Sequence, residues 1–475
     1  MYDPLLYLVF FVLYTFLILI FGKHGLDRNR TLKDYFIAGQ SLGTWGSVAT
    51  FCATWFSAAS MLGFTGLVYT YGYSTILLTT VCWFLGASIL VLMVEKLYDF
   101  GAVTVPEFFY IRYNSVAIQV ISGLILLLCY ILYMVIQIQG FGIVIGELLD
   151  VPYTVGIFLV FLFIIYTSFG GMYSVARTDV INFILIIIGT IIAAILVLKE
   201  VGGISNMHAI IRSNTYENGS EDPFSPLPEG IWSIAAFISA FFSLGLGLAA
   251  NPQYIVRVWS ARDKSTAFRM IYISIFLLSI AYLSLSIVGM GAKILVEEGS
   301  VSHHDEVFPY MMSEFISSPL KGIILISIVA ACISTSNSQL LILASSCVYD
   351  IYNSFRKTRI PEFKLLTYTR WLVVILLTCS LLISISPLKD LVSFSGQIWG
   401  VIAATFFFPI FGGIYYKKAN SKNAILSIFS GLVAYIIAFL FIPTELGKYI
   451  HPAIIAVIVS GIMFFLKIGR SSNET

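Results

Sequence analysis

Residues 330–346 read AACISTSNSQLLILASS, and within them Ala331, Ser334, Thr335 and Ser338 recur at three- and four-residue steps. In a helix that spacing puts all four on one face. A hydroxyl stripe of this kind either lines something polar or bonds back to its own helix carbonyls, and the residues alone leave both readings open. Residues 49–72, ATFCATWFSAASMLGFTGLVYTYG, hold Thr54, Ser57, Ser60 and Thr65 together with Gly63 and Gly66, in a stretch otherwise apolar enough to cross a membrane. The third feature is Asp179 in SFGGMYSVARTDVINF. A carboxylate in or beside an apolar span is costly and marks function, unless it forms a local ion pair, here with Arg177. Hydroxyls, freed backbone carbonyls and one carboxylate suit a small hard monovalent cation, since a divalent one draws several carboxylates. Sodium is the natural candidate.

The elements that must position these groups are membrane helices. Of 475 residues 59% are hydrophobic and only 11% charged, against about a quarter charged in soluble domains. Apolar runs of about 20 residues, each long enough to cross roughly 30 Å of hydrocarbon, recur from end to end. We place spans at 4–22, 41–71, 75–98, 116–146, 152–173, 177–198, 229–255, 271–294, 319–350, 365–386, 391–416, 423–442 and 449–466. The first run lacks the basic start and small-residue cleavage site of a secretion signal, so it reads as a permanent span. A helix that breaks at membrane depth must find other partners for its carbonyls, and transporters built from inverted repeats break helices at matched positions in two halves. Residues 49–72 are one candidate break. Five spans later, SLGLGLAANPQYIVR at 243–257, with Gly245, Gly247 and Pro252, is the other. Close helix packing on glycine is the competing account. The spacing divides the chain into an extra helix and loop (1–40), a first five-helix repeat (41–198), an external loop (199–228), a second repeat (229–416) and two extra helices with a short tail (417–475).

Thirteen spans put the termini on opposite sides. Lys23, Arg28, Arg30 and Lys33, then Arg257, Arg262, Lys264 and Arg269, then Arg356, Lys357, Arg359 and Lys364, and finally Lys417, Lys418 and Lys422 all fall on one side, while the other has scattered Lys199, Arg212 and Lys389. The bias of basic residues toward cytoplasmic loops predicts an N-terminus outside and a C-terminus inside the cell membrane. RSNTYENGSEDPFSPLPEG reads as an external surface loop. His303-His304 lies in the second polar outside segment, 295–318, where an ordinary solvated loop is favoured over a metal site. His451 sits at the edge of the last span and gives no support for a histidine proton relay. All six cysteines, Cys52, Cys82, Cys129, Cys332, Cys347 and Cys379, fall in apolar runs with no disulfide or metal spacing. A net charge of +2 argues against a nucleic-acid partner, and no obligate protein partner is evident; the expected partners are the lipid bilayer and a small solute.

DYFIAGQSLGTWGSVATFCATWFSAASMLG, GGMYSVARTDVINF, NPQYIVRVWSARD and AACISTSNSQLL, in this order and at these spacings, resemble the sodium:solute symporter family, the group of proline, pantothenate, monocarboxylate, sialic acid and glucose symporters. The resemblance covers essentially the whole chain. It implies an all-α integral membrane fold of about thirteen helices with the leucine-transporter-like 5+5 inverted repeat and discontinuous helices. It implies a common sodium site formed by the Ala53, Phe56 and Ala331 carbonyls with the Ser334 and Thr335 hydroxyls, and a second sodium or a nearby charge at Asp179 and Ser338. By position it implies that Thr54, Trp55, Ser57, Tyr133, Gln137, Phe241, Leu244, Leu248 and Gln397 face the solute. Proline symporters carry an aspartate at the Trp55 position and aromatic residues at Leu244 and Leu248, so proline fits poorly. The entry to the second span looks more like the pantothenate and monocarboxylate branches. The expectation is therefore a sodium-coupled importer of a small organic acid working by alternating access, with Na+ the coupling ion, and with a proline, amino-acid or sugar symporter as the alternative. A transporter-like membrane sensor is the alternative of another class, but only KIGRSSNET follows the last span and no output domain is expected. Paired carboxylates, histidine clusters and nucleophile motifs are lacking at membrane depth, so no enzyme is expected.

Overall fold

A computed structural model describes residues 4–26, 31–168, 170–218, 222–227, 234–297, 299–316, 319–355, 361–387, 390–447 and 449–466. The protein is built from helices; among the described residues the sole β contact is an isolated bridge between Leu42 and Ala261. Among the described residues nine helices are long and apolar enough to cross a membrane, and a tenth span forms if the bent pair Thr44–Trp55 and Ala59–Tyr71 is taken as one. Helices Pro4–Leu26, Tyr153–Ser168 and Pro452–Phe465 occupy further expected spans.

Burial sorts the helices into core and shell. Helix Lys321–Ser345 carries the hydroxyl stripe and is buried along almost its whole length, wedged against Gly171–Glu200, Val116–Leu149 and the inner arm Thr44–Trp55. Helices Glu362–Ser384 and Ser421–Phe441 present Leu382, Ile375, Phe439 and Leu440 outward, the composition of a lipid-facing surface. A helix that is polar in sequence and buried in the fold must be facing other polar groups.

The expected break in residues 49–72 is present. Helix Thr44–Trp55 ends in an extended Phe56 (φ −70°, ψ 114°), and after a turn of π-helix at Ala59–Gly63 the outer arm leaves at 66° to the inner one. The second expected break, in 243–257, is milder. A π-turn at Phe241–Gly245 leads into Leu246–Ala250, then Asn251 alone is extended (φ −74°, ψ 123°) and Pro252 starts a new helix to Ser260. Proline suits that place because a first-turn N–H has no helical partner to lose.

Both polar segments expected outside, 199–228 and 295–318, contain helix rather than surface loop alone. Residues 204–218 form a helix that buries Met207 and Ile211, and Pro223 accepts from the Tyr73 N–H at 2.9 Å. In the second, His304–Glu306 and Val307–Glu314 are helical with Val307, Phe308, Met311 and Met312 buried. In each case polar residues in the sequence masked an apolar face at helical spacing. Of the basic positions, Arg28, Arg30, Arg356, Lys357, Arg359 and Lys389 lie outside the described residues.

Candidate functional site

At the first break the helix gives up its regular hydrogen bonds. In an unbroken helix the Ala58 N–H would bond the Thr54 carbonyl; here it donates to Gln137 Oε1 at 3.0 Å. Gly140, one turn further along the same helix, lets the break approach closely: a Cβ there would lie 2.3 Å from Ala58 Cβ. The freed carbonyls turn toward the hydroxyl stripe. Ser334 Oγ lies 2.7 Å from the Ala53 carbonyl and 3.0 Å from the Ala331 carbonyl. Thr335 Oγ1 lies 2.9 Å from the Phe56 carbonyl and 3.3 Å from the Thr54 carbonyl.

The five expected oxygens thus fall in two neighbouring groups, one around Ser334 Oγ and one around Thr335 Oγ1, all on buried residues. Each hydroxyl faces two carbonyls with one proton to donate, so this cluster of oxygens is short of protons. A buried group of carbonyl and hydroxyl oxygens of this kind is the type of donor set that suits a hard cation. Within the stripe, back-bonding to the same helix holds in part for Ser334, through its contact with the Ala331 carbonyl, and for Ser338, which donates to the Ser334 carbonyl at 3.0 Å; outside it, Ser336 donates to the Cys332 carbonyl and Thr65 to the Met61 carbonyl, each at 2.7 Å.

Asp179 lies in the core beside this cluster, and its ion-pair partner is Arg257 rather than Arg177. Asp179 Oδ2 accepts from Thr50 Oγ1 at 2.5 Å and stands 3.7 Å from Arg257 Nη2. Arg257 is 2% exposed. Its Nε donates to the Thr50 carbonyl at 3.0 Å, Nη1 to the Gln253 carbonyl at 2.7 Å, and Nη2 to Ser338 Oγ at 2.5 Å. Asp179 and Ser338 therefore do come together, with a guanidinium between them. Sequence reasoning counted Arg257 among loop charges and overlooked Thr50 and Gln253. The available signal was the start of a helix at Pro252, which puts Gln253 and Arg257 one turn apart on its face.

Next to the break stands a wall of rings. Trp55 packs on Tyr254, Phe51 and Phe84, and its Nε1 donates to Tyr282 OH at 3.1 Å, which in turn donates to Ser60 Oγ at 3.2 Å. Trp399 meets Tyr133, Tyr254 and Trp83 at ring separations of 6.0–6.3 Å. Buried polar atoms without a hydrogen-bond partner include Thr54 Oγ1, Gln137 Nε2 and Trp83 Nε1. Leu244 lines a cavity of about 260 Å³ together with Leu67, Tyr71, Val392 and Gly396. Leu248 is buried and Phe241 packs by Gly245. Ser57 Oγ accepts from the Ser60 N–H at 3.4 Å. Gln397 Oε1 accepts from Tyr435 OH, in helix Ser421–Phe441, at 2.6 Å. Trp399 and Trp83, not anticipated from sequence, stand in the aromatic wall.

The sodium:solute symporter family profile matches residues 35–431. The chain belongs to that family. It is 27% identical to the sodium/pantothenate symporter of Haemophilus influenzae, covering 98% of this chain and 96% of the relative, and 24% identical to the osmoregulated proline transporter of Bacillus subtilis, covering 95% and 92%. Among solved structures it is similar to a substrate-bound, outward-open Na+-coupled sialic acid symporter, with a TM-score of 0.79 and 19% identity over 96% of both chains. MhsT in complex with L-phenylalanine matches with a TM-score of 0.56 and 15% identity, covering 90% and 99%. The fold is thus the leucine-transporter-like arrangement of helices with interrupted spans. The protein is a multi-pass membrane transporter rather than an enzyme, and its activity is symport of a small solute coupled to Na+.

Proposed function

We propose that this symporter imports a small organic acid, such as pantothenate or a short monocarboxylate, together with sodium held at the first break. The observation that carries the ion site is the proton-poor cluster of Ala53, Phe56 and Ala331 carbonyls with Ser334 and Thr335 hydroxyls. The solute reading rests on the neighbouring wall. Gln137 Nε2 and Trp83 Nε1 are N–H donors left without acceptors, and an unmet buried donor costs about 1–3 kcal/mol. A carboxylate, which only accepts, meets that need better than an amino acid's ammonium group. Trp55 takes the place of a carboxylate that would have paired with such an ammonium. Thr54, Trp55, Ser57, Tyr133, Gln137, Phe241, Leu244, Leu248 and Gln397 remain its proposed neighbours.

The Asp179 region supports a charge role rather than a second sodium. Arg257 already places a positive charge 3.7 Å from Asp179, and a sodium about 4 Å from that guanidinium would meet a repulsion of about 4 kcal/mol at an effective dielectric of 20. With one sodium, a monovalent anion enters without net charge movement, so a tenfold sodium gradient, about 1.4 kcal/mol, is the whole driving force. We read 41–198 and 229–416 as the two repeats and 417–475 as an accessory segment. The basic bias supports a cell-membrane orientation with the N-terminus outside.

Proteoliposome uptake of labelled pantothenate, lactate, proline and glucose, with and without an inward sodium gradient, tests this. Sodium-driven uptake of an acid is expected. Sodium-driven uptake of proline or glucose alone would overturn the assignment of the solute class.

A further inference from the structure

The outer segment around His303 is no solvated loop. Asp305 is 1% exposed and joins two elements. Its Oδ2 accepts from the backbone N–H of Leu391 at 3.1 Å, at the start of helix Leu391–Tyr415. The adjacent His304 carbonyl lies so close to the outer arm of the broken helix that a Cβ on Gly66 would come within 2.2 Å of it. This segment is a lid resting on one wall of the cavity that Leu244 lines and tied to the other: Leu67 on the outer arm and Asp390 and Val392 beside Leu391 all line that cavity.

We propose that His303, His304, Asp305 and Asp390 form a binding site for one divalent transition cation of the zinc type, on the face opposite the basic loops. The ligand atoms His303 Nδ1 and Asp305 Oδ2 are 3.1 Å apart, His304 Nε2 and Asp305 Oδ1 3.5 Å, and His304 Nε2 and Asp390 Oδ1 3.9 Å. A tetrahedral zinc with bonds of about 2.0–2.1 Å sets its ligands roughly 3.3 Å apart, so the side chains stand close to the spacing required. One ligand atom from each of His303, His304 and Asp305 can be chosen within 4.8 Å of the others.

A second observation points the same way. Asp305 Oδ1 is buried without a hydrogen-bond partner, and so is His304 Nε2. Two buried polar atoms facing each other without a good hydrogen bond are costly, and a shared cation satisfies both. The remaining contacts fit a ligand set: the Leu391 N–H holds the Asp305 carboxylate in place, as groups outside a metal site commonly do, and an ion would take over the 3.1 Å contact between His303 Nδ1 and Asp305 Oδ2 and displace the long 3.4 Å contact from the Asp305 N–H. His303 and Asp305 also border a cavity of about 610 Å³ with Glu147, Asp150 and Glu306 on its walls, a route along which carboxylates draw cations inward. Two imidazole nitrogens select a zinc-type ion over magnesium or calcium, which prefer all-oxygen sites. Because Asp390 belongs to the neighbouring element, a bound ion ties lid and cavity wall together.

Zinc chloride titrated calorimetrically into the purified, EDTA-treated full-length protein should show one site per chain, and magnesium chloride at tenfold excess should leave it unchanged. His303→Gln, whose side chain is 24% exposed and can be replaced without emptying the core, should weaken zinc binding at least tenfold. Asp390→Asn should weaken it as well. The melting temperature of the wild type should rise with zinc and that of His303→Gln much less. Absence of binding, equal binding by His303→Gln, or displacement of zinc by magnesium would each overturn the proposal, whatever solute the protein carries.

Discussion

Replacing Thr335 separates an ion ligand from a helix staple. Thr335 Oγ1 lies 2.9 Å from the Phe56 carbonyl and 3.3 Å from that of Thr54, so Thr335→Ala removes one of five candidate oxygens. A contact to a charged group contributes about 1.5–3 kcal/mol. At about 1.4 kcal/mol per decade, half-saturating sodium should rise by roughly 10- to 100-fold. If the hydroxyl merely ties the stripe to the break, the variant loses a neutral bond of about 1 kcal/mol and melts earlier, with its sodium dependence intact. Two assays read the difference: sodium-dependent uptake, and the rise in melting temperature with added sodium, which follows from binding to the folded state alone. Thr335→Ser keeps the oxygen and should restore most of both. Ser334→Ala should match Thr335→Ala, because Ser334 Oγ bridges the Ala53 and Ala331 carbonyls. Ser336→Ala, whose hydroxyl serves only its own helix, should leave sodium dependence alone. Unchanged half-saturation in both Ser334→Ala and Thr335→Ala would refute the ion-site argument.

Asp179→Asn and Arg257→Gln each leave a buried partner uncompensated, at a cost of about 3–5 kcal/mol; both should express poorly or melt early, the double variant should recover, and Arg177→Gln should be mild, all read by thermal melting. Gly66→Ala should displace the lid, since its Cβ would meet the His304 backbone carbonyl and a backbone atom cannot swing aside; a stability loss of about 1–3 kcal/mol is expected, measured by melting of the purified protein. In a background cleared of native cysteines, Ser213→Cys should react with an impermeant thiol reagent from outside and Lys357→Cys should not; the reverse pattern would invert the orientation.

The cluster of carbonyls and hydroxyls proposed as the ion site was legible in the sequence because both of its halves leave local marks. Ser334 and Thr335 interrupt an apolar run at helical spacing, and the small and hydroxyl residues around Gly63 announce a helix that cannot stay regular. The break itself was placed correctly, since Phe56 is where the helix ends. The lid was misread for a corresponding reason. Its polar residues dominate the composition, while the apolar face that docks it, Val307, Phe308, Met311 and Met312, is short and split by Pro309 and Tyr310. Gln397 was placed by position alone, and no local mark shows that Tyr435, thirty-eight residues on, would engage it.

Arg257 shows where reading along the chain stops and packing begins. Counted with Arg262, Lys264 and Arg269, it looks like one more basic residue on an inner loop, and an isolated charge beside apolar residues gives no sign of its partner. The fold makes the difference through Asn251 and Pro252. By interrupting the helix at one residue and restarting it, they aim Gln253 and Arg257 at the inner arm, where the Thr50 carbonyl receives Arg257 Nε at 3.0 Å. One guanidinium then touches four elements: its own helix at Gln253, the inner arm at Thr50, Asp179 on Gly171–Glu200 and Ser338 on the stripe. Ser338 in turn donates at 3.0 Å to the carbonyl of Ser334, whose hydroxyl belongs to the proposed ion site. The milder second break thus serves the first, because it delivers the charge that balances Asp179. Any movement of the inner arm away from the stripe must either break the Thr50 and Ser338 contacts or carry Arg257 and Asp179 along as a pair.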